Sequence, residues 1–191
     1  MSIAGSSELV GRLEPSVPNP LRLKTDKNAA PQPDHLFVPE SGDFMAALNT
    51  WEATVLAAAR KMPGFVGWIR NYARKPWSIA YMYTNPEGQT VPGYPDFVVF
   101  RTEGKHIVAD LLEPHHSGNA DSLVKAQGMC RFAEQHGDKF GRIEWIKIAG
   151  SQIKRLNLNN RNVRACVLAT NVDGALDTLF NSVGTAENIP V

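Results

Sequence analysis

Two β-prone runs, "DFVVFR" and "HIVADLLE", are separated only by "TEGK". So short a link, carrying a glycine, commits both runs to one antiparallel hairpin. Each run also carries an aspartate, Asp96 in the first and Asp110 in the second. A bare carboxylate is expensive to bury, so each has to be paired, hydrogen-bonded or bound to a metal. Side chains alternate along a strand, which puts Asp96 on the face of Val98 and Phe100, and Asp110 on that of Val108 and Leu112. If the hairpin brings the two aspartates to one end of the sheet, they repel, and a hard divalent cation relieves that repulsion. Sharing one cation requires carboxylates about 4 to 7 Å apart. Such an ion assists the attack of water on phosphorus, which makes phosphodiester hydrolysis the expected reaction class.

The surrounding pattern places this hairpin inside one domain. "SGDFMAALNTWEATVLAAARKMPG" has helical spacing, contains Glu52 and stops at Pro63 and Gly64. "FVGWIRNY" and "SIAYMYTN" read as strands, and the helix "ADSLVKAQGMCRFAEQHG" and the strand "RIEWIKIA" follow the hairpin. "VRACVLA" reads as strand or helix, and "VDGALDTLFNSVG" as a final helix. The order α β β β α β predicts an α/β fold, a small mixed sheet flanked by helices. With 191 residues, 43% of them hydrophobic, residues 41–191 suffice for one core. Residues 1–40, rich in Pro, Ser, Asn and Ala and without periodicity, read as an extended arm or linker.

The net charge is only +1, but its distribution is uneven. Residues 53–86 carry Arg60, Lys61, Arg70, Arg74 and Lys75 with no acid before Glu87, and residues 145–172 carry Lys147, Lys154, Arg155, Arg161 and Arg164 with none. These segments form either a one-sided positive surface for a polyanion or two faces whose counter-charges lie elsewhere in space. Trp68, Tyr72 and Trp77, interleaved with Arg70, Arg74 and Lys75, either stack on bases or belong to the core. Cys130 and Cys166 show no metal spacing. No apolar run reaches the roughly 18 residues of a membrane span, and no signal-peptide pattern opens the chain. A cytoplasmic protein is expected.

"YPDF", followed by a turn, an acidic strand and a helix, resembles the PD-(D/E)xK nuclease superfamily. "WEATVL", "GWIRN", "YPDFVVF", "DLLEPH", "DSLVKAQG" and "FGRIEWIKI" look like the nuclease-like region at the C-terminus of bacterial superfamily 2 helicases and type III restriction-type subunits. The resemblance covers about residues 51–148. It implies a restriction-endonuclease-like core and a DNA endonuclease of restriction, phage defence or repair, with Mg²⁺ or Mn²⁺ as cofactor. It also implies a helicase or other defence-system subunit as partner. Carried over by position, Asp96 and Asp110 are the metal-binding pair, with Glu52 as a further ligand. The pattern requires a lysine two residues after Asp110, where Leu112 stands. Shifting the match to Glu113 puts His115 at that position, while Lys125 or Gln127 on the following helix are alternative donors. The competing reading is a degenerate nuclease fold that grips DNA, through Arg70, Arg74 and Lys75, or a partner protein, without cutting. At single positions the plainer readings are a buried partnership with Arg70 or Arg74 for Asp110, a surface ion pair with Asp121 for Lys125, and an exposed loop for His115.

Overall fold

The computed structural model describes residues 29–37, 40, 42–115, 121–172 and 174–190. The first helix, α1 (Thr50–Arg60), begins at a capping box. Asn49 accepts from the Glu52 backbone N–H at 2.9 Å, and the Glu52 carboxylate accepts from the Asn49 N–H at 2.9 Å. This start lies later than the expected Ser41, because the preceding residues form a small hairpin, β1 (Ala30–Gln32) with β2 (Phe44–Ala46). The expected arm therefore gives way to structure by Ala30, and its residues 1–28 lie outside the described residues. His35 ties this part to the domain, stacking on Phe44 at 3.6 Å with its edge against Trp68.

The central sheet has six strands, in the spatial order β10-β9-β8-β7-β6-β3. They are β3 (Phe65–Arg70), β6 (Phe97–Glu103), β7 (His106–Pro114), β8 (Ile143–Ala149), β9 (Gln152–Asn157) and β10 (Thr185–Asn188). β6 pairs antiparallel with both β3 and β7, and β8 lies parallel to β7 after the crossover helix α2 (Ser122–His136). The fold is thus α/β, a mixed sheet flanked by helices. One expected strand leaves the sheet: β4 (Tyr81–Thr84) pairs only with β5 (Thr90–Gly93), and this hairpin lies on α2. The close approach depends on Gly128, where a β-carbon would meet Tyr83 Cβ at 2.6 Å and the Met82 carbonyl at 2.7 Å. The ambiguous run "VRACVLA" is helix α3 (Arg161–Ala169), and α4 (Ala175–Ser182) follows.

Strand alternation gives the sheet two packed faces. Val98, Leu111, Ile143, Trp145 and Leu156 pack with α2, α3 and α4. Phe97, Val99, Leu112, Ile146 and Ile153 pack with Val55, Leu56, Ala58 and Ala59 of α1. No helix among the described residues is long and apolar enough to cross a membrane.

Candidate active site

The turn between β6 and β7 consists of Gly104 and Lys105, with Gly104 at φ 61°, where a residue without a β-carbon is favoured. From this turn the register runs in step: Val99 faces Asp110 and Phe97 faces Leu112. The next position outward sets Asp96 against Glu113, and the Asp96 backbone N–H donates to Glu113 Oε2 at 3.1 Å. Asp96 and Asp110 therefore do not converge. Asp110 lies three residues before Glu113, about 10 Å along the strand, on the face packed by α1.

The expectation that Asp110 binds a metal is corrected by its partners. Its carboxylate, fully buried, accepts from Arg101 Nε at 2.8 Å and from Arg142 Nη2 at 2.7 Å and Nε at 3.0 Å. Two guanidiniums leave no need for a cation there. The arginine partner expected for Asp110 exists, but it comes from β6 and the start of β8 rather than from Arg70 or Arg74. The network continues through Glu144 and Arg155, 2.7 Å apart, to Glu187 at 2.6 Å, and so ties β6 through β10 together on one face.

A different group assembles where β6 begins, β7 ends and α2 starts. Burial pushes the Asp96 carboxyl up to about 6, against the pull of Arg70 and with the push of Glu52. Burial, reinforced by the Asp96 charge, holds Glu113 well above the carboxylate range, although the Asp96 N–H, Lys125 and Arg70 oppose it. The Glu113 carboxyl thus lies within reach of the Asp96 charge, which disfavours its ionised form. Lys125 approaches from α2. Partial burial disfavours its charge, but the Asp121 carboxylate at 2.7 Å, with Tyr83 and Glu113, holds the ammonium above its ordinary value. Its Nζ stands 5.8 Å from the centre of the Tyr83 ring. The surface ion pair anticipated for Lys125 is present, at the edge of this site. Burial and the Glu113 charge also keep the Tyr81 phenol un-ionised.

Four other expected site residues have different surroundings. Glu52 is close, but one oxygen caps α1 and the other accepts from Arg70 Nη2 at 2.7 Å. Arg70 also reaches Asp96 at 3.2 Å and lies over the Phe97 ring, so it is a partner of the acids rather than a surface contact for DNA. Gln127 points to the end of α3, donating to the Thr170 carbonyl at 2.7 Å, and this removes it from the carboxylate pair. His115 is not an exposed loop residue: it is buried, with its ring 4.9 Å from Trp145 and its N–H on the Ile146 carbonyl at 2.7 Å. The adjacent His116 lies outside the described residues.

The basic segments are partly neutralised in space. Arg60 meets Asp34, Lys147 meets Asp177, Arg155 meets Glu144 and Glu187, and Arg164 donates to the Leu158 and Asn159 carbonyls. Arg74 and Lys75 have no acidic partner among the described residues.

The expected ligand trio Glu52, Asp96 and Asp110 is not assembled, and no group of three or more His, Cys, Asp or Glu among the described residues is placed to hold a metal ion. Magnesium, however, keeps several waters and is often held by one or two carboxylates together with substrate phosphates. The Asp96–Glu113 pair, hard in its oxygens and set at opposed positions where β6 begins and β7 ends, fits that smaller donor set.

Comparison with known proteins gives two matches. The YagJ family matches residues 33–188. Protein YagJ of Escherichia coli strain K12 is 34% identical over 151 residues, 78% of this chain and 60% of that protein. The chain thus spans about 60% of the length of the curated relative it matches. No solved structure matches the chain.

Proposed function

We propose that this chain, which belongs to the YagJ family, is a metal-dependent nuclease domain of the PD-(D/E)xK type that hydrolyses phosphodiester bonds in DNA, with Asp96 and Glu113 as its paired carboxylates. The observation that carries the reading is the face-to-face placement of these two acids, each held above its ordinary proton affinity. The order of α1, the antiparallel strands β3, β6 and β7, α2 and the parallel β8 supports a restriction-endonuclease-like core. A role in restriction, phage defence or repair, with a helicase or other defence-system subunit as partner, follows from the same reading.

In this mechanism Asp96 and Glu113 would hold Mg²⁺ or Mn²⁺. When bound, the ion supplies a Lewis acid beside the phosphorus. Glu113, whose burial favours the protonated form, would have to give up its proton to serve as an anionic ligand. Lys125, already fixed by Asp121 and Tyr83, sets its ammonium near the charge that develops on the phosphoryl oxygens. Water oxygen would bond to phosphorus as one P–O ester bond breaks, and the proton that the water gives up would end on the leaving oxygen. Arg70 keeps Glu52 and Asp96 from repelling each other while the site waits.

Arg70 also favours a second reading. A guanidinium already bridging two carboxylates supplies the positive charge that a metal would bring, as in a degenerate fold that binds DNA or a protein without cutting. The readings separate when purified protein is incubated with plasmid and single-stranded DNA in Mg²⁺, Mn²⁺ or EDTA. The nuclease reading expects metal-dependent cleavage that Asp96→Ala and Glu113→Gln abolish and Lys125→Ala lowers at least ~100-fold, about 2.7 kcal/mol of transition-state stabilisation. DNA binding with no cleavage in either metal favours the non-cutting module.

A further inference from the structure

Residues 71–80 form a loop that leaves β3 at Arg70 and returns to β4, and its backbone is fixed at close intervals. The buried Asn71 side chain donates to the Ile79 and Pro95 carbonyls at 2.8 and 2.7 Å and accepts from the Ile79 N–H at 3.0 Å. Its own N–H donates to the Asp96 carbonyl at 2.9 Å, which anchors the loop to a residue of the candidate site. Ser78 Oγ accepts from the Lys75 N–H at 2.8 Å and donates to the Tyr72 carbonyl, and the Ser78 N–H donates to the Lys75 carbonyl.

Within this frame Arg74 sits at φ 60°, in the left-handed region where a β-carbon is disfavoured and glycine is the usual occupant. Its side chain is exposed, and beside it Lys75 is half-buried. Neither has an acidic partner among the described residues, whereas Arg60, Arg70, Lys147 and Arg155 of the same two segments do. Tyr72 and Trp77, both half-buried, flank the two cations in the sequence "NYARKPWS". An arginine at a backbone position better suited to glycine points to a use for its charge outside the fold.

We infer that this loop is a binding element for a nucleic-acid strand, with Arg74 and Lys75 taking backbone phosphates next to the site at Asp96 and the flanking aromatics stacking on bases. The inference rests on the nuclease reading for the identity of the neighbouring site, but its test is run in EDTA, where no metal-dependent cleavage contributes. Labelled dT15 is titrated by fluorescence anisotropy across salt concentrations with wild type, Arg74→Gly and Arg74→Lys, and melting temperatures are taken in parallel. Arg74→Gly relieves the backbone, so it melts at or above the wild-type temperature. Its affinity falls at least ~5-fold, and the slope of log K against log salt becomes shallower by about 0.7, one phosphate contact to a single strand. Arg74→Lys restores most of the binding.

Wild type that fails to bind dT15 at low salt overturns the inference. So does Arg74→Gly with wild-type affinity and slope, a lysine variant no better than glycine, or tighter binding to a 15-base-pair duplex than to dT15. Strand binding through Arg74 without cleavage in any metal contradicts only the nuclease reading. Cleavage that persists with binding indifferent to Arg74 contradicts only the loop.

Discussion

Replacing Asp96 by asparagine separates the electrostatics of the candidate site from ordinary packing. In the folded protein, burial and Glu52 outweigh Arg70, and the carboxyl takes its proton at about 6 rather than 3.8. Between these values the native state holds a proton that the unfolded chain has released. Stability therefore falls as pH rises through that window, and the loss is complete above about pH 6. Roughly two pH units at 1.36 kcal/mol each give about 3 kcal/mol. The Asp96 side chain remains 26% exposed, and solvent screening trims this to on the order of 2 kcal/mol. Asparagine keeps the shape of the side chain and never ionises. Asp96→Asn is thus expected to gain on the order of 2 kcal/mol above neutrality, about 4 to 8 °C in melting temperature for a chain of this size, and almost nothing near pH 4. Thermal unfolding of both proteins in EDTA, near pH 4 and near pH 7.5, measures the difference. A variant no more stable than wild type near pH 7.5, or one with the same gain at both values, refutes the reasoning.

Three further outcomes follow from the surroundings described above. Asp110→Ala leaves Arg101 and Arg142 facing each other without their acid and is expected to cost about 3 to 5 kcal/mol, read as a lower urea midpoint; unchanged stability contradicts the network. Burial lowers the proton affinity of His35, whose Nε2 accepts from the Arg70 N–H, so the unfolded ring takes up a proton near pH 6.5 that the folded one refuses. Its contribution is present above that pH and is lost as pH falls below it, and His35→Phe is expected to flatten that part of the urea-midpoint profile. Gln127→Ala is expected to cost about 1 to 2 kcal/mol by freeing the end of α3, with cleavage per folded molecule unchanged, and a specific loss of cleavage returns Gln127 to the site.

The hairpin, both core helices and the parallel strand β8 were legible because local period and turn chemistry agree there. That Asp96 stands opposite Glu113 rather than near Asp110 was not read, although the signal was present. Counting outward from the two-residue turn at Gly104 and Lys105 brings Asp96 opposite Glu113 and leaves Asp110 opposite Val99. In "DLLEP" the two acids are three residues apart, so they lie on opposite faces of the strand, and only the register chooses between them. The partners of Asp110 were beyond local reading, because Arg142 comes from the far end of a crossover helix. β9 was missed because its inward positions include Arg155, whose buried charge breaks the apolar alternation that marks a strand. Glu52 was legible in another role, since Asn49 three residues before it spells a capping box. The neutralisation of the basic segments depends on acids as distant as Glu187, which no window of sequence brings together.

The central claim is that Asp96 and Glu113 jointly hold a divalent cation, and calorimetric titration with Mn²⁺ near neutral pH tests it most directly. Wild type is expected to bind the ion with release of protons from the carboxyl pair, so that the measured heat varies with the ionisation heat of the buffer. Asp96→Asn and Glu113→Gln are expected to remain folded and each to lose at least ~10-fold in affinity, about 1.4 kcal/mol. A folded wild type that takes up no Mn²⁺, or variants that bind it as tightly and with the same proton release, contradict the account.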